Sequence, residues 1–121
     1  MAKVLLFNFA DQKRMKILFL LMQHGVTAVE VPLQDQTRPL GALLGKPGYH
    51  AAPEAAAPFL EEMLVMDDLN PAQFQGFLAG LKALQAPVDY KAVTTEHNLS
   101  WTPVRLFREL AAEHEAMHPP K

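Results

Sequence analysis

Val4-Leu5-Leu6-Phe7 and Met63-Leu64-Val65-Met66 decide how this chain is read. Each is a short apolar run that leads into a helix-length segment and then a β-branched run, Val26 to Val31 in one case and Val88 to Val93 in the other. The same β-α-β plan stated twice within 121 residues predicts an open α/β sandwich, with a single domain over residues 1–121. Lys3 to Phe9 is apolar at nearly every position, which predicts a strand buried on both faces.

Local punctuation sharpens the plan. Asp11 reads as the N-cap of a helix from Gln12 to His24, and Gly25 as its stop. Met15, Leu18, Phe19 and Met22 recur at helical spacing, and Ile17, Leu20 and Leu21 widen the stripe. Such a helix is expected to be covered on more than one side, a second subunit being one such cover. In the second unit Asn70-Pro71-Ala72-Gln73 supplies an N-cap, a proline at N1 and a capping-box glutamine, with Leu69 and Phe74 in staple positions. Phe74, Phe77, Leu78, Leu81 and Leu84 form its apolar stripe, and Pro87 closes the helix. Gly76 and Gly80 cost helix propensity, so close approach of another backbone is expected there. A third helix starts at Thr102-Pro103, stapled by Trp101 and Leu106, and turns Val104, Phe107, Leu110 and Ala111 inward.

The resulting order predicts an α+β ferredoxin-like plait: two βαβ units, a long central loop, an antiparallel sheet and an extra C-terminal helix. An α/β parallel sheet is the alternative. Residues 34–60 read as a mobile Gly/Pro/Ala-rich connection. Within it, Gly41 to Pro47 lacks both the four-residue glycine spacing and the Ser or Thr that a phosphate-binding loop needs.

Composition narrows the chemistry. With no cysteine there is no disulfide framework or thiol nucleophile, in keeping with a reducing compartment, and cytoplasm is the expected location. The start lacks the apolar core of a secretory signal, and Ile17 to Met22 is too short to span a bilayer. A formal net charge of -2 offers no footprint for nucleic acid. The strand Glu61 to Asp68 is acidic at both ends and lacks aromatics for stacking bases, so no RNA partner is expected.

Lys91, Thr94, Thr95, His97, Asn98 and Trp101 are the candidate ligand-binding residues. They leave a strand end and enter a helix start, where backbone N–H groups can hold an anion. The plainer reading has Thr95 and Asn98 satisfying the turn's own backbone, with Trp101 shielding the core. His97 and Ser100 lack a third member for nucleophilic catalysis. Asp67 and Asp68 read as caps for the following turn and helix. His114-Glu115-Ala116-Met117-His118 matches the H-E-x-x-H pattern of zinc hydrolases, yet only Pro119-Pro120-Lys121 follows to supply a third ligand. No catalytic metal site is assigned; His114 and His118 remain candidates for surface metal only.

Lys91-Ala92-Val93-Thr94-Thr95, Asn98 and Trp101, followed by Leu106, Glu109-Leu110 and Glu113-His114, resemble an uncharacterised bacterial family catalogued only as a domain of unknown function. In the first half, Val4 to Phe9, Lys13-Arg14-Met15, Pro39-Leu40-Gly41 and Leu44-Gly45 also fit, so the resemblance covers nearly all of the chain except Lys46 to Leu60. It implies no particular substrate, cofactor or partner. The expected function is a non-catalytic binding or regulatory module without a cofactor, acting on a small anionic ligand or a protein partner and capable of forming a homodimer. The alternative is a small-molecule enzyme or metal-binding protein using His97, Asn98 and the C-terminal histidines.

Overall fold

The structure, a computed structural model, describes residues 1–50 and 56–117. Its elements are β1 (Lys3–Phe7), α1 (Asp11–Gln23), β2 (Thr27–Glu30), α2 (Leu40–Leu43), β3 (Met63–Asp67), α3 (Pro71–Ala83), β4 (Tyr90–Val93) and α4 (Pro103–Met117). One-turn 3₁₀ segments, Leu33–Asp35 and Asn98–Ser100, precede α2 and α4. The fold is α+β, with one four-stranded sheet in the order β2-β1-β3-β4.

The two units are copies in detail. β1 and β3 begin at residues 3 and 63, and α1 and α3 begin at 11 and 71 with 13 residues each. The left-handed residues after the strands, Asn8 (φ 67°) and Asp68 (φ 62°), correspond, as do those after the helices, Gly25 (φ 67°) and Gln85 (φ 52°). Both helices end alike: Val26 N–H donates to Leu21 and Ala86 N–H to Leu81, so each last turn is closed by the same backbone bond. The glutamine at position 85 does there what glycine does more cheaply at 25.

Strand order departs from the plait. β1 and β3 are adjacent and antiparallel at the centre, as expected, with Leu5 opposite Val65. However, β2 lies directly beside β1 and parallel to it, and β4 likewise beside β3, so the sheet is mixed. In a plait each helix crossover skips a strand. Here each crossover returns to the neighbouring position, and a pseudo-two-fold axis through the Leu5/Val65 pair relates the halves.

The apolar strands explain the layering. Val4, Leu6, Leu64 and Met66 face α1 and α3 in one core, together with Ile17, Leu21, Phe77 and Leu81. Leu5, Phe7, Met63 and Val65 face the other way, onto Leu40, Leu44, Phe59, Val104 and Phe107. Helices therefore cover both faces of the central strands, and α4 is part of the second layer rather than an appendage. Across the axis, Leu40 N–H donates to Trp101 O at 2.9 Å and Val104 N–H to Gln36 O at 3.4 Å, which knits the two helix starts together.

Three local readings are corrected. The N-cap of α1 is Ala10, without a side-chain bond, and Asp11 lies inside the first turn, where its charge meets the positive end of the helix dipole. Gly76 and Gly80 admit side chains rather than a backbone: a Cβ at either would stand 2.5 Å from the His24 ring or from Leu20. In the connection, Gln36 is buried and Phe59 is a core residue, so its two ends are pinned; residues 51–55 lie outside those described. No helix among the described residues is long and apolar enough to cross a membrane.

Candidate functional site

The segment from Lys91 to Trp101 folds as a self-satisfied corner. Asn98 Oδ1 accepts from Thr95 N–H at 2.8 Å, Thr95 Oγ1 accepts from Asn98 N–H at 3.1 Å, and Asn98 Nδ2 donates to Val93 O at 3.1 Å. This reciprocal pair has the logic of a capping box and leaves Asn98 buried. Thr102 Oγ1 then accepts from Arg105 N–H, and the Arg105 guanidinium sits 4.2 Å from the Trp101 ring centre. Ser100 donates to His97 O, and His97 is exposed.

Thr95 and Asn98 are brought together, whereas Lys91 is directed elsewhere. Lys91 Nζ turns back onto Val88 O and lines an open crevice of about 400 Å³ with Leu78, Leu81, Lys82 and Asp89. That lining includes none of Thr94, Thr95, His97, Asn98 and Trp101. Thr94 instead donates to Asp67 at 2.7 Å. The plainer reading of Thr95 and Asn98 therefore has direct structural support. Asn98→Ala is expected to cost about 1–3 kcal/mol, because the Thr95 N–H and Val93 O lose their partner, whereas His97→Ala should change stability by less than about 0.5 kcal/mol. Urea denaturation of both variants checks this; equal losses would remove the distinction.

Asp67 and Asp68 do not act as caps. The N-cap of α3 is Asn70, whose side chain and that of Gln73 complete the capping box. Asp67 is buried at the end of β3, hydrogen-bonded by Thr94 and paired with Lys46 Nζ at 3.3 Å. Asp68 is exposed and takes the chain's first ammonium group at 2.9 Å, which holds its carboxyl below the usual range through hydrogen bonding and charge. The Asp67–Lys46 pair went unforeseen in the sequence because its members lie 21 positions apart in different units.

His114 sits 5.6 Å from the Tyr90 ring, on the α4 face that packs on β4. His118 lies outside the described residues. Among the described residues no three His, Asp or Glu side chains are grouped to hold a metal ion. A larger open crevice, about 570 Å³, lies at the carboxyl ends of β1 and β2 between Asn8, Phe9, Arg14, Glu30 and Leu33. Its charges are already matched, since Arg14 and Glu30 pair at 3.3 Å.

The outer surface of α1 is different in kind. Ile17, Leu20 and Leu21 supply its core face. Met15, Phe19 and Met22, read as part of one wide stripe, are 59%, 50% and 71% exposed. The equivalent positions on α3 are Gln75, Ala79 and Lys82, so the shared architecture does not require large apolar side chains there.

Residues 62–117, from the start of β3 to the end of α4, match the family model described as Domain of unknown function (DUF3783). The resemblance drawn from the Lys91 to Trp101 segment is thus shown for the second unit. No curated protein and no solved structure matches the chain.

Proposed function

Starting from a chain whose second half matches a domain of unknown function, we propose that the protein is a non-catalytic interaction module that associates with a second copy of itself through α1. The observation that carries this reading is the exposed Met15, Phe19 and Met22 stripe, set against the polar and small residues at the same places in α3.

The occupant follows from the pattern around the stripe. Met15, Phe19 and Met22 stand at the d, a and d positions of a heptad, with Gln12 at the preceding a position. Asp11 then falls at g and Lys16 at the next e, five residues later and of opposite sign. In a parallel pairing of two α1 helices, g of one copy meets e of the other, so each Asp11 faces a Lys16. Ile17, at f, points away from the seam into the core. Methionines suit such a surface because their flexible thioethers adapt to a facing helix.

The seam is short, two turns, and the patch is on the order of a few hundred Å². Stable complexes bury roughly 800 Å² per partner. The expected association is therefore weak and concentration-dependent. Sedimentation equilibrium should show reversible dimers in wild type and monomers in Phe19→Asp, while the folding stability of that variant stays within about 1 kcal/mol of the wild-type monomer. Gln75→Ala on α3 should leave association unchanged. A wild type that stays monomeric at every concentration, or a Phe19→Asp variant that dimerises equally, would overturn the proposal.

A further inference from the structure

We infer that the seam between β1 and β3 is an interface able to form between separate chains: residues 1–50 and 56–121 are complementary units that assemble without the peptide linking them. Three independent observations carry it. The units repeat one architecture around a pseudo-two-fold, with all five residues of β1 paired to all five of β3. The contacts across the seam are of the kind that hold two subunits together, with apolar side chains on both faces of the paired strands. Polar contacts join them: the Lys13–Glu62 ion pair at 2.6 Å and the Gln73 amide donating to His24 O at 3.0 Å. Finally, the family model covers residues 62–117, which is one unit and its last helix and nothing of the other.

Charge then decides which unit pairs with which. Asp67 ends β3 almost fully buried, and the lysine that neutralises it, Lys46, comes from the first unit. If two second units paired through β3 in the same register, each Asp67 would face a Met63 and lack that lysine. An uncompensated buried carboxylate opposes such a pair. Two first units would set Lys3 against Phe7 in the same way. The partner that a free second unit accepts is therefore a strand apolar on both faces, carried by a chain that brings a lysine to the position of Lys46. This is specificity through rejection of the self-pair as much as through attraction of the right one.

The test keeps every residue of both units. Ala51-Ala52-Pro53-Glu54-Ala55 is replaced by a site-specific protease sequence and the purified protein is cut. The two pieces should co-elute at 1:1 under native conditions, retain the circular dichroism of the uncut chain, and separate only in denaturant. In the Phe19→Asp background, where chains do not associate through α1, a tenfold rise in concentration after cutting should add about 1.4 kcal/mol of apparent stability, a dependence the uncut variant's unfolding should lack. Mixing cut protein with an isotope-labelled preparation should exchange first units among second units. Native mass spectrometry should show mixed pairs in roughly tenfold or greater excess over 56–121 self-pairs, an excess that Asp67→Asn should erase. Separation or unfolding of the pieces on cutting, or a concentration-independent midpoint, would overturn trans assembly. Self-pairs as abundant as mixed pairs before the Asp67 change would overturn the charge rule.

Discussion

Phe77→Ala should destabilise the protein by about 3–5 kcal/mol, the usual cost of emptying a fully buried phenylalanine site. Phe77 has no exposed surface and lies in the core formed by α1, α3 and one face of the sheet. Its neighbours are held by the strands below and by the close α1/α3 contact that Gly76 and Gly80 allow, so the cavity has little freedom to collapse. Phe19→Ala serves as the matched comparison: the same side chain is removed from a half-exposed position, and the loss should stay below about 1 kcal/mol under conditions where the protein is monomeric. Guanidinium denaturation at fixed low concentration measures both. A Phe77 loss under about 1 kcal/mol would mean that α3 does not seat this face on the sheet.

Gln36→Ala should be nearly as severe, roughly 2–4 kcal/mol, combining a cavity with lost hydrogen bonds. The Gln36 side chain is fully buried. Its carbonyl accepts from Phe59 N–H at 2.9 Å, and its amide donates to Phe59 O at 3.2 Å and to Asn8 Oδ1 at 3.4 Å. It therefore holds the chain just before β3 against the first unit and places Phe59 between Phe7 and Phe107, with ring centres 5.6 and 4.6 Å away. Gln36→Met keeps the volume and deletes the polar atoms. It should still cost more than about 1 kcal/mol, because the Phe59 N–H is left without an acceptor. A thermally silent Gln36→Met would show that these bonds are replaceable.

The duplicated plan was legible because its signals are local. The strand runs at Val4 and Met63, the Asn70 capping box and the Thr102-Pro103 start each sit within a few residues, and each stands where the local reading placed it. Burial of β1 on both faces was also legible, since nearly every residue is apolar. The neighbour of β2 was not, because the same helix length serves a crossover to an adjacent strand or past one. Nor was the outward face of α1: from Ile17 to Met22 every residue is apolar, so spacing alone does not tell the buried Ile17 and Leu21 from the exposed Phe19 and Met22. Gln36, and the pairing of Lys46 with Asp67, depend on contacts between residues 20 or more apart, where no short motif exists to announce them.

The central position of β1 also bears on how the chain survives its own synthesis. Its pairing partner is encoded 56 to 64 residues later, so on a ribosome adding about 5–20 residues per second several seconds pass before β3 emerges. During that interval β1 offers nascent chains an unpaired apolar strand edge, the kind of template on which polypeptides aggregate. Slower translation of the second half prolongs the exposure, and crowded polysomes bring many such edges together.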